Sequence, residues 1–86
     1  MPEICRFYGI IIKMFFQDHS PAHFHAEYQE YEALFDINTL EIIKGNIPAR
    51  ARLLVIEWAE LHKNELLNDW ERAQKPETLF KIEPLK

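Results

Sequence analysis

From Arg6 to Phe16 the side chains alternate, with Tyr8, Ile10, Ile12, Met14 and Phe16 in one phase and Phe7, Gly9, Ile11, Lys13 and Phe15 in the other. A two-residue period rich in aromatic and β-branched residues predicts a strand, here a long first one bent near Gly9. Two further alternating runs, His23 to Tyr28 and Tyr31 to Ile37, predict a second and third strand, and Leu40 to Lys44 a short fourth. Past Gly45 the period changes. Pro48 suits a first helical turn, and Ala51, Leu54, Val55, Trp58, Ala59, His62, Leu66, Trp70 and Ala73 recur at spacings of three and four. They predict an amphipathic helix to about Gln74, with a break near Lys63-Asn64 and a stop at Pro76. Leu79-Phe80-Lys81-Ile82 reads as an extended tail apolar enough to dock. The expected architecture is α+β: about four antiparallel strands, then one long C-terminal helix or a helix pair packed on one face.

Register follows from the turns. A two-residue turn at Gln29-Glu30 pairs Tyr28 with Tyr31, Ala26 with Ala33 and Phe24 with Phe35 on one face. The other face then pairs Glu27 with Glu32, His25 with Leu34 and His23 with Asp36. A four-residue loop would set His25 across from Asp36 instead, so either register gives one imidazole that carboxylate. A turn at Asn38-Thr39 pairs Ile37 with Leu40 and Phe35 with Ile42, and adds Glu41 beside Asp36. The same exposed face is expected to carry Phe7, Ile11, Phe15 and Leu34, an apolar content that suggests a protein partner or a homodimer.

The candidate chemistry is concentrated in residues 18 to 25, Asp-His-Ser-Pro-Ala-His-Phe-His, which hold three of the four histidines. His23 and His25 leave the same face of an extended segment. Three readings stay open. In the first, His19, His23 and His25 with Asp18 or Asp36 hold a divalent transition ion such as zinc. In the second, which needs no cofactor, His23 and His25 transfer protons while Asp36 fixes the tautomer, the requirement for RNA cleavage by internal attack of a 2′-hydroxyl. Arg6, Lys13, Arg50 and Arg52 are its phosphate candidates, the last two at a helix start that itself favours anions. In the third, Asp18 caps a turn, His19 bonds the loop backbone, and the histidines face solvent or a partner.

Composition narrows the field. The chain has 86 residues, 48% of them hydrophobic, enough for one small core. The formal charge of −4 argues against a broad nucleic-acid surface, while leaving room for a local basic patch. No apolar run approaches the roughly 20 residues of a membrane span, and no signal peptide is evident, so a cytoplasmic location is expected. The one cysteine, Cys5, excludes an intramolecular disulfide and reads as a buried apolar residue. His62, Trp58 and Trp70 read as core groups. With only Gly9 and Gly45, no glycine-rich phosphate loop exists.

The octapeptide, followed by Glu27-Tyr28, Glu32-Ala33, Phe35-Asp36-Ile37, Gly45-Asn46 with Pro48, Glu57-Trp58, Trp70 and the ending Lys81-Ile82-Glu83-Pro84-Leu85, resembles the small bacterial proteins of domain-of-unknown-function family 4160. Ala22 stands where that family has a second proline, and Gln29 where a glycine is usual in the turn. The resemblance brings no established activity. Its members are often encoded beside another small family in an arrangement like toxin-antitoxin pairs. That implies a two-gene module, a small partner encoded nearby and, by the same likeness, RNA cleavage.

Overall fold

The computed structural model describes residues 3 to 86. Five antiparallel strands, β1 (Glu3–Phe7), β2 (Ile10–Lys13), β3 (His23–Tyr28), β4 (Tyr31–Asp36) and β5 (Ile42–Asn46), form one sheet in sequence order. Two helices, α1 (Ala49–Leu61) and α2 (Lys63–Gln74), follow. The protein is α+β, with five strands where four were expected.

The extra strand arises at Gly9. Instead of bending one strand, Tyr8 and Gly9 both take positive φ, 50° and 80°, and form a two-residue hairpin turn. Phe7 therefore pairs with Ile10. A two-residue turn inverts the phase of alternation, so Phe7 joins the core, where its ring lies 5.4 Å from Trp58. It is not on the outer face predicted for it. Tyr8 and Phe16, expected on the buried face, are exposed, Tyr8 in the turn itself and Phe16 three residues past the end of β2. Ile10, Ile12 and Met14 are buried as their phase requires.

The β3–β4 hairpin has the predicted two-residue turn, pairing Tyr28 with Tyr31, Phe24 with Phe35 and His23 with Asp36. Gln29 itself takes the positive φ, 55°, that a glycine supplies more easily. Between β4 and β5 the register shifts at Leu34/Phe35. Phe35 meets Ile42 as expected, but β5 begins later and runs further than Leu40 to Lys44, leaving Glu41 outside the strand.

The helices cover one face of the sheet. In α1, Ala51, Val55, Trp58 and Ala59 are buried at helical spacing, and Trp58 meets Phe24 edge-on at 6.0 Å between centroids. Phe24 stacks on Phe35 at 5.4 Å, which fixes the strand pair beneath the indole. The helical run breaks at His62, one residue before the predicted break, and His62 stays half-buried against Trp58. The tail docks as expected: the Ile82 amide donates to the Ile4 carbonyl at 2.9 Å, and Trp58 Nε1 donates to the Glu83 carbonyl at 2.8 Å. Thus the tail lies along β1, and β5 is the other edge. No helix is long and apolar enough to cross a membrane.

Candidate metal centre

Residues 14–22 connect β2 to β3 past the end of the sheet where β3 begins. Two backbone bonds hold this loop. The Gln17 amide donates to the Ala73 carbonyl in the last turn of α2, and the Ile37 amide donates to the Ala22 carbonyl, each at 3.0 Å. Between these anchors Asp18 Oδ1 accepts the His19 amide at 2.9 Å, the local turn its residue type favours. Its second oxygen, Oδ2, is aimed at the strand.

There it meets both strand histidines, at 3.0 Å from His23 Nε2 and 3.3 Å from His25 Nε2. The rings have centroids 5.3 Å apart. His23 is 6% exposed and packs on Trp70 at 5.2 Å, while Phe15 sets its edge against His25 at 4.6 Å. Each ring is also held from behind. His23 Nδ1 lies 2.8 Å from the Pro21 carbonyl, and His25 Nδ1 lies 3.2 Å from Glu32 Oε2.

These partners restrict the chemistry. The Pro21 carbonyl only accepts, so His23 Nδ1 carries hydrogen, whereas His25 faces a carboxylate at each nitrogen, Glu32 at Nδ1 and Asp18 at Nε2. In a neutral His23 ring Nε2 then offers a lone pair toward the Asp18 carboxylate. A cation among the three atoms relieves that contact of lone pair and carboxylate. A single divalent ion satisfies all three donors. One ligand atom from each of Asp18, His23 and His25 lies within 4.8 Å of the other two. For bonds of about 2.0–2.1 Å to a tetrahedral ion, ligand atoms stand roughly 3.3–3.4 Å apart, close to the two oxygen–nitrogen spacings here.

The Asp18 carboxyl is held below the usual carboxylate range. Burial alone would raise it, but the His19 amide and the His25 and His23 imidazoles more than offset that.

Of the residues predicted for the site, Asp18, His23 and His25 come together. His19 is exposed and outside the cluster. Asp36 lies across from His23 in register, yet its Oδ1 accepts the Asn38 and Thr39 amides at 2.7 and 3.1 Å and closes the β4–β5 turn. Among the described residues it bonds neither imidazole. The pattern Asp-x-Asn-Thr carried that signal, because Asp before such a pair favours bonding its own backbone. Register makes Glu32 only the cross-strand partner of Glu27, and the Pro21 carbonyl has no side-chain signature at all. Arg50 lines a cleft with Tyr28 at the other end of β3, roughly 17 Å along the strand from His23. Arg52 follows it on α1, exposed. Lys13, across from His25, is nearly buried and pairs with Glu27 at 2.9 Å. Cys5 is buried, which pushes its thiol up to about 11.

No curated protein and no solved structure matches the chain significantly. A family model does, over residues 9–71, a stretch that contains the whole octapeptide, four of the strands and most of both helices. The chain therefore belongs to the family described as Domain of unknown function (DUF4160).

Proposed function

We propose that this protein binds one divalent transition-metal ion, zinc being the best fit to the donor set, through Asp18 Oδ2, His23 Nε2 and His25 Nε2. The observation that carries this reading is the pair of acceptors behind the rings. Histidines that ligate metals donate their other N–H to a carbonyl or carboxylate, and here Pro21 and Glu32 take those places. Three protein donors leave a fourth position for water or for a donor atom of a bound molecule, the pattern of open rather than purely structural zinc sites.

Binding is measured by calorimetry and elemental analysis on untagged protein, with cobalt(II) absorption reporting geometry. One ion per chain is expected. His25→Ala and Asp18→Asn should each lower affinity by at least about a hundredfold, while His19→Ala and Asp36→Asn should leave the stoichiometry unchanged. Substoichiometric metal in the native chain, or equal affinity in His25→Ala, defeats the proposal.

A second reading is membership of a two-gene, toxin-antitoxin-like module, with a small protein partner or a homodimer. Its structural support is the exposure of apolar side chains on three elements, Tyr31 on β4, Ile43 on β5, and Leu53 and Leu61 on α1. Co-expression with the neighbouring gene, scored by growth and co-purification, tests it. Unchanged growth and no co-purification would remove its support. RNA cleavage by His23, His25 and Asp36 has the weaker geometry, since Asp36 is engaged by backbone amides and Arg50 lies at the far end of β3.

A further inference from the structure

At the end of the sheet away from the histidines, the Tyr8-Gly9 turn, Tyr28 and the first turn of α1 enclose a cleft of about 500 Å³. Small-molecule sites fall within roughly 300–1,000 Å³. Ile10, Ala51 and Leu54 give it an apolar wall, with the phenol rings of Tyr8 and Tyr28 at the turn. Arg50 and Lys86 line it with one side-chain carboxylate, that of Glu57. Arg50 forms no ion pair among the described residues.

Tyr8 adds an independent observation. A bulky side chain at φ 50° is strained by about 1–2 kcal/mol, and Asn or Asp would make the same turn at less cost. Burial does not compensate, because Tyr8 is 58% exposed. Its ring meets Phe7 edge-on at 6.3 Å between centroids and otherwise lines the cleft.

We propose that the cleft is a binding site for a small aryl anion, its ring against Tyr8 and Tyr28 and its acidic head on the Arg50 guanidinium. The site is separate from the histidine cluster and does not depend on the metal reading. The test is an amide-resolved NMR titration of the full chain with phenyl phosphate and phenylacetate, and with benzyl alcohol as the neutral comparison. Both anions should shift Tyr8, Gly9, Tyr28, Ala51 and Leu54 while residues 18–25 stay still. Arg50→Gln should weaken binding about tenfold, the loss of one charge-assisted hydrogen bond. Tyr8→Asn, which preserves the turn, should weaken it several-fold without unfolding. Equal affinity for benzyl alcohol, equal affinity in Arg50→Gln, or shifts spread over the whole surface would each overturn the proposal.

Discussion

The Glu32 carboxylate is half-exposed and lies 3.2 Å from His25 Nδ1, on the side of the ring away from Asp18. Losing such an outer partner typically lowers metal affinity by about 10–100-fold. Glu32→Gln keeps an acceptor and should fall at the lower end, near tenfold; Glu32→Ala should fall further. Competition with a chromophoric chelator reads both, and an unchanged Glu32→Ala affinity would show that packing on Phe15 orients the ring unaided. Cys5 gives a second residue-level expectation. With its thiol raised to about 11, the thiolate fraction at pH 8 is about one in a thousand, so the folded chain should resist thiol reagents that modify it quickly in denaturant. The sign follows from the neutral form being favoured in the fold. Its stabilisation is complete below the unfolded thiol value and is lost as pH rises toward 11.

At the level of elements, the two glycines make a contrast. A Cβ on Gly45 would stand 2.3 Å from the Glu32 carbonyl oxygen, at φ +78°, so β4 and β5 would have to move apart. A Cβ on Gly9 would meet only the Tyr28 ring, at 3.6 Å. Gly45→Ala should therefore destabilise by about 3 kcal/mol or more and Gly9→Ala by about 1 kcal/mol. Urea unfolding gives both values, and equal losses would refute the steric account. The same glycines mark what the chain disclosed before its structure. Strand phase and the β3–β4 register were legible because apolar residues alternate without interruption there. The first hairpin was not, because Tyr8 is a poor turn residue and a continuous alternation passes through it. The site was legible to the extent of its histidines, which share a strand face. Its carboxylate was ambiguous, since Asp36 is opposite in register while Asp18 arrives from a loop whose path depends on Gln17 bonding the end of α2.

For the whole molecule, the tail is the element that ties helices to sheet. Asp69 is fully buried, and its Oδ1 accepts both Arg72 Nη1 at 2.7 Å and the Phe80 amide at 2.8 Å. The guanidinium of Arg72 in turn covers the Phe80 ring at 3.5 Å. Asp69→Ala removes the acceptor from both donors and should lower stability by about 2–4 kcal/mol. Limited proteolysis should then cut first within residues 75–86. Intact tails at the protease concentration that trims only the variant's helices would contradict this order.

All three proposed ligands fall between residues 18 and 25, and that brevity has a thermodynamic consequence. Closing so short a loop costs little chain entropy, so the unfolded polypeptide can also wrap an ion with the same side chains. Stabilisation by a ligand reflects the difference between its affinities for the folded and unfolded chains. Saturating metal should thus raise the melting temperature less than the folded-state dissociation constant alone implies. What the fold adds is the share of binding that comes from Pro21, Glu32 and Trp70 holding the rings in place.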